Sequence, residues 1–127
     1  MMFRFLPPRW VIRVYLLGRF TNSENMRDVR EAAAQISPRV MAGRVRESLR
    51  VDDRPVLRTL TLPILYLRGG EDRLALDRSV QEMERVNSAV SRRDLAAPHL
   101  LLQTVAEEAW SYIEASIMTA TRKGGKS

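Results

Sequence analysis

The stretch that decides the fold is Leu62-Pro63-Ile64-Leu65-Tyr66-Leu67-Arg68-Gly69-Gly70-Glu71-Asp72, residues 62–72. Its apolar part has the length of a β-strand, and two glycines close it. Because the hydrophobicity is continuous and does not alternate, the pattern predicts a strand buried on both faces, as in a parallel sheet. The stretch therefore predicts a parallel strand that ends next to a carboxylate.

The segments that follow predict a βαβα unit. Residues 79–90 have apolar positions at helical spacing, residues 93–97 predict a weak second strand, and residues 105–118 predict an amphipathic helix with Trp110 on its apolar face. Strands and helices that alternate in this way pack on a parallel sheet. We expect the remainder, residues 119–127, to form a disordered basic tail.

The sequence before the deciding stretch predicts helices only. Helices are expected over residues 3–20, 23–36, 38–49 and 56–60. The first helix is expected to begin at a Pro-Pro pair and to end at a turn that starts with Gly18. Ser23 is the expected N-cap of the second helix. The chain thus divides into a helical part, residues 1–60, and an α/β part, residues 61–118.

Composition limits the kinds of site that the chain can hold. Its 127 residues are 45% hydrophobic and 28% charged, as in a globular domain. The chain has no cysteine, which excludes disulfides and thiolate metal sites, and its single histidine argues against a zinc site built on imidazoles. We therefore expect no metal and no cofactor. A chain without cysteine suits a reducing compartment, and we expect it in the cytoplasm.

The net charge of +6 comes almost entirely from arginine. The arginines are scattered, and only Arg92-Arg93 and residues 122–126 form clusters, without interleaved aromatic residues, which argues against specific nucleic-acid binding. No apolar run approaches the ~20 residues of a membrane span. Residues 1–23 are basic, amphipathic and free of acids, so they predict a helix that packs on protein, with peripheral membrane contact as the alternative.

Two residues suggest acid–base chemistry. Asp72 lies just past the first predicted strand, and His99 lies after the second and before the last helix. Ligands and catalytic groups gather at the carboxyl ends of parallel strands, so these side chains can lie side by side. In a Ser-His-Asp triad the carboxylate orients the histidine that takes the serine proton. The spacing predicts such a pair, with Glu71 and Asp77 as alternative acids.

These residues resemble the C-terminal half of the α/β-hydrolase superfamily, in its esterase, lipase and thioesterase-like branch. The matching blocks are residues 62–74, Pro98-His99-Leu100-Leu101-Leu102-Gln103, and the closing helix around Trp110 and Ile113. The resemblance implies that Asp72 is the triad acid and His99 the triad base. It also implies that the helical part is the end of a cap, and that the complete fold hydrolyses a small-molecule ester or thioester.

The nucleophile of such a triad is missing from the sequence. No Gly-x-Ser-x-Gly elbow occurs, and no His-Gly type oxyanion loop is present. The serines Ser48, Ser79, Ser88 and Ser91 all lack the flanking glycines. We therefore expect an incomplete fold, a cap-like helical part followed by the last βαβα of a hydrolase sheet, with no hydrolase activity of its own. Its expected partner is the missing hydrolase half or another protein.

Two alternatives remain open from the sequence. The chain can be a small basic module that binds a protein or an anionic membrane without catalysis. It can also be a chain that does not fold stably alone and aggregates through exposed strand edges.

Overall fold

The computed structural model describes residues 7–124, and it describes side-chain exposure for residues 7–122. Within this range the chain has a mixed α/β fold, with helices around a two-stranded parallel sheet. The expected α/β class is therefore confirmed. The start of the first expected helix, residues 3–6, and the tail residues 125–127 lie outside the described residues.

The helical part begins with three short turns of different geometry. In chain order they are helix α1 (Arg9–Val11), a π-helical turn (Ile12–Leu17) and a 3₁₀ turn (Gly18–Phe20). Three helices follow: α2 (Ser23–Ala34), α3 (Pro38–Ser48) and α4 (Arg54–Thr59).

The α/β part alternates strands and helices. Its elements are β1 (Ile64–Gly69), α5 (Asp77–Val86), β2 (Val90–Leu95), α6 (Leu101–Thr104) and α7 (Ala106–Gly124). The two strands pair in parallel, in a register that runs from Ile64 opposite Val90 to Gly69 opposite Leu95. Both strands therefore end at the same edge of the sheet.

The two faces of the sheet are covered differently. On one face, Leu67 of β1 and Leu95 of β2 pack with Ala109 of α7 in an apolar cluster. Side chains alternate between the faces of a strand, so the next residues point the other way. There Arg68, Arg92 and Asp94 form ion pairs with each other and with Asp77 at the start of α5.

The N-terminal turns pack against the α/β part through a second apolar cluster. Ile12, Leu17 and Met26 are buried in it, and Leu100 packs against them. The Leu100 N–H also donates to the Leu16 carbonyl oxygen at 3.1 Å. The π-helical turn ends at Gly18, whose φ of +53° favours glycine. The apolar side of this segment is therefore used inside the protein.

The second strand does not lie where the pattern predicts it. It spans Val90–Leu95 and not 93–97, and the preceding helix spans Asp77–Val86 and not 79–90. Asn87 ends the helix because its backbone is extended and its side chain accepts a hydrogen bond from the Ala89 N–H at 2.8 Å. The charged residues of β2 are stabilised by ion pairs that the local pattern does not contain.

Several helix details also differ from the predictions. The N-cap of α2 is Asn22, whose Oδ1 accepts from the Asn25 N–H at 2.8 Å, and not Ser23. Trp110 is 59% exposed, since α7 buries Ala109 instead. Helix α7 continues to Gly124, so residues 119–124 are helical where a disordered tail was expected.

Strand β1 is less buried than its sequence predicts. Residues 64–68 are half-buried, and only Gly69 is buried. Within the described residues the sheet contains no strand beyond β1 on the side away from β2. The apolar sequence of a doubly covered strand therefore lies at the edge of the sheet in this chain.

Candidate functional site

The backbone holds the Asp72 side chain in one orientation. Asp72 follows the turn after β1, where its N–H donates to the Gly69 carbonyl oxygen at 3.0 Å. Its Oδ1 accepts two backbone hydrogen bonds, from Leu74 N at 2.7 Å and from Ala75 N at 3.0 Å. The side chain is only 6% exposed. With Oδ1 occupied in this way, Oδ2 is left to bind a second group.

That second group is the His99 imidazole. His99 Nδ1 lies 2.9 Å from Asp72 Oδ2, across 27 residues of sequence. The loop that carries His99 is fixed to the Asp72 turn, because Gly70 N donates to Leu95 O at 2.7 Å and Glu71 N donates to Ala97 O at 3.0 Å. The structure thus brings together the two residues that the sequence predicts as acid and base.

Gly69 lets the two loops approach each other. A Cβ atom at this position would lie 2.2 Å from the Pro98 carbonyl oxygen and 2.5 Å from the Ala97 carbonyl oxygen. Both distances are far shorter than any contact a real Cβ makes, and both oxygens belong to the backbone. Only glycine fits here, since any side chain would push the His99 loop away from the Asp72 turn.

The surroundings of Asp72 favour its ionised form. Burial by itself would raise the pKa of Asp72, but the hydrogen bonds from Ala75 N–H, His99 and Leu74 N–H outweigh it and lower the pKa below its usual range. An ionised carboxylate can only accept hydrogen bonds, so His99 donates through Nδ1–H. The neutral imidazole then keeps its lone pair on Nε2.

His99 Nε2 makes no hydrogen bond to any described residue. The ring, whose side chain is 37% exposed, lines an open groove of about 520 Å³ between β1 and α7. The walls of the groove are mostly apolar and include Leu65, Leu67 and Ile113. A group that enters this groove with a proton to lose would meet a base that is already oriented.

The two alternative acids have other partners. Glu71 Oε1 is paired with Arg19 Nε at 3.0 Å, and Asp77 Oδ1 with Arg92 at 2.5 Å. Among the described residues, Asp72 is the acid that contacts His99.

Arg19 is a contributor to the site that the sequence did not reveal. Besides pairing with Glu71, its guanidinium donates to the Ala96 carbonyl oxygen at 2.9 Å. It therefore ties together the turn before Asp72 and the loop before His99. No local signal marks Arg19, because its partners lie more than 50 residues away in the sequence.

No hydroxyl of the described residues is hydrogen-bonded to His99. Ser48 donates to Arg44 O and Ser91 to Ile64 O, while Ser79 lines a different groove. Ser116 of α7 lines the His99 groove, but no hydrogen bond joins the two side chains. In the described part of the chain, the Asp72–His99 pair therefore has no hydroxyl group hydrogen-bonded to its imidazole.

Residues 7–124 contain neither a candidate metal site nor a candidate membrane span. No group of three or more histidine, cysteine, aspartate or glutamate side chains there is arranged to hold a metal ion. No helix in the same range is long and apolar enough to cross a membrane.

Comparison of the chain with models of protein families, with curated protein sequences and with solved structures found no match.

Proposed function

We propose that this chain is the acid–base portion of a serine hydrolase of the α/β-hydrolase type, which acts on carboxylic esters or thioesters. In this proposal His99 is the general base and Asp72 its orienting acid, while another polypeptide segment supplies the serine. The location that fits this proposal is the cytoplasm. The chain alone has no hydrolase activity, because its sequence contains neither a nucleophile elbow nor an oxyanion loop.

The observation that carries the proposal is the 2.9 Å contact between His99 Nδ1 and Asp72 Oδ2. The groups around this contact support a catalytic role for it. Two backbone N–H groups fix the carboxylate, and Nε2 is left without a partner among the described residues. An imidazole held at Nδ1 and open at Nε2 has the arrangement that a general base needs.

The sheet supports the same proposal. The N–H groups of Ile64 and Gly70 donate to Ala89 O and Leu95 O, toward β2. Because successive N–H groups of a strand alternate in direction, those of Leu65 and Leu67 point to the opposite edge. A further parallel strand can therefore pair with β1 at this edge and bring its own residues toward the His99 groove.

Nuclear magnetic resonance of the single imidazole tests the acid–base assignment. For the neutral imidazole we expect the ¹⁵N shifts of His99 to report a proton on Nδ1 and an unprotonated Nε2. In Asp72→Asn the orienting charge is lost, so the population should move toward the Nε2–H tautomer. A wild-type Nε2–H tautomer, or shifts that the substitution leaves unchanged, would contradict the proposal. Asp77→Asn serves as the control, because Asp77 pairs with Arg92 on the other face of the sheet.

Two further measurements test the missing nucleophile. Purified chain should show no saturable labelling by a fluorophosphonate probe and no His99-dependent turnover of p-nitrophenyl butyrate. Translation of the DNA upstream of Met1 should contain Gly-x-Ser-x-Gly, and joining that segment to the chain should produce esterase activity. Asp72→Asn and His99→Gln should each abolish this activity. The proposal would be refuted by saturable labelling of the chain alone, or by esterase activity of the joined protein that neither substitution changes.

A further inference from the structure

No residue of helix α3 is buried. Met41, Val45 and Leu49 lie one helical turn apart and form one apolar row. Val45 is 53% exposed and Leu49, just past the end of the helix, is 83% exposed. An amphipathic helix normally gains its stability by covering such a row. In this row Met41 is half-buried, while Val45 and Leu49 stay exposed among the described residues.

Arginines border the apolar row on both sides. Arg44 lies on one flank, and Arg39, Arg46 and Arg50 lie on the other. None of the four forms an ion pair within residues 7–124, whereas Arg54 is paired with Asp52 and Arg92 with Asp77 and Asp94. Six arginines and three acids lie in residues 38–60, so this stretch has a net charge of +3, half that of the chain.

We propose that α3 and the residues just after it dock on an anionic phospholipid surface. Val45 and Leu49 enter the boundary between headgroups and acyl chains, and the arginines extend sideways to the phosphates. In the N-terminal turns, by contrast, Ile12 and Leu17 are buried. The proposal is independent of the hydrolase assignment.

The shape of the helix favours a lipid surface over an acidic protein partner. Gly43, in the middle of α3, has no neighbouring atom within 4 Å of the position of a Cβ, so this part of the helix stands clear of the rest of the protein. The groove that Leu49 and Arg50 line also carries Asp52, Asp53 and Glu82, and these acids would repel an acidic peptide. A peptide that binds through its side chains needs concave walls to bury them. A bilayer accepts a convex apolar row with cationic side chains on both flanks.

Co-sedimentation with vesicles tests this proposal. We expect the chain to bind vesicles that contain phosphatidylserine and not vesicles of phosphatidylcholine alone, with binding that weakens as salt is added. Arg46→Gln and Arg50→Gln should each lower the partition coefficient about fivefold, since a cationic side chain near an anionic surface contributes about 1 kcal/mol. Leu49→Ser should lower the partition coefficient at both low and high salt concentration.

Matched controls come from α7. Arg122→Gln removes the same charge and Ile117→Ser removes an apolar side chain that is 55% exposed, and neither should change binding by more than twofold. Circular dichroism should give the same helix content for all variants, because every substituted residue is exposed. The proposal is overturned if phosphatidylserine has no effect, if the α7 variants weaken binding as much as the α3 variants, or if the chain binds acidic peptides but not vesicles.

Discussion

At the scale of single residues, the site depends on interactions over long distances in sequence. The proximity of Asp72 and His99 follows from their order after two strands, and the sequence was sufficient to predict it. The residues that support the pair were not predictable from the sequence. Gly69 leaves room for the backbone of Pro98, and Arg19 pairs with Glu71 and donates to the Ala96 carbonyl oxygen. Such contacts become visible only when the strands are paired.

The lowered pKa of Asp72 predicts how stability depends on pH. A carboxyl group whose pKa is lower in the folded state contributes stability above its unfolded value, and this contribution disappears as the pH falls through the folded pKa. Above about pH 5 the wild type should be more stable than Asp72→Asn by ~1–2 kcal/mol. The difference should shrink as the pH falls below about 4. Urea titrations at several pH values measure it, and a constant difference down to the lowest pH would contradict the expectation.

Gly69→Ala should destabilise the protein by about 1–3 kcal/mol or more, because the new methyl group overlaps two backbone oxygens. Gly43→Ala is the matched control. It lies in α3 with open space around it and should stabilise the protein by up to about 1 kcal/mol through helix propensity. Urea unfolding of both variants provides the comparison. A tolerated Gly69→Ala, with His99 still in the Nδ1–H tautomer, would mean that the two loops do not meet so closely.

At the scale of elements, the strand with the strongest pattern was predicted best. The apolar run before Gly69 predicts β1, which spans Ile64–Gly69. The predicted second strand, residues 93–97, leaves out residues 90–92, because Arg92 looks like a surface residue. Its stability in a strand comes from ion pairs with Asp94 and with Asp77 of α5. The apolar face predicted for α7 includes both Ala109, which is buried, and Trp110, which is exposed. A small residue, Ala109, fits against the sheet where the larger Trp110 does not.

Asn87 connects three elements and should be sensitive to substitution. Its Nδ2 donates to Leu57 O at 2.6 Å and to Leu60 O at 2.8 Å, and this attaches α4 to the end of α5. Asn87→Asp keeps the acceptor for Ala89 but loses both donors, so we expect a cost of about 1–3 kcal/mol. Hydrogen exchange should show faster opening of α4. The neighbouring exposed Ser88→Ala should change stability by less than about 0.5 kcal/mol, and an equal effect of both variants would argue against the role of Asn87.

At the scale of the whole molecule, the chain exposes far more surface than its mass requires. Its accessible area is 9813 Å² at 14.6 kDa, whereas a compact monomer of that mass exposes about 6,900 Å². Much of the excess is apolar, with Leu62, Leu102 and Ile117 all more than half exposed. A surface of this kind favours association with another chain or with itself.

Nile red, which is uncharged, should therefore fluoresce strongly with the folded protein. Leu102→Ser and Ile117→Ser alter the wall of the His99 groove and should together reduce the fluorescence at least twofold without lowering stability. Val56→Ser, at a similarly exposed position on α4, should leave most of this signal. Fluorescence that appears only when the protein is unfolded would contradict the expectation.

The chain contains one histidine, and its contact with Asp72 closes a loop of 27 residues that includes α5 and β2. The ring protons of His99 are consequently a natural kinetic reporter. Their chemical shifts depend on the contact with Asp72, which forms when the two strands are paired. A refolding experiment that follows this resonance therefore measures the rate of strand pairing without an added label. Parallel pairing across such a crossover is slow compared with helix formation, and we expect the His99 signal to lag behind the far-ultraviolet circular dichroism.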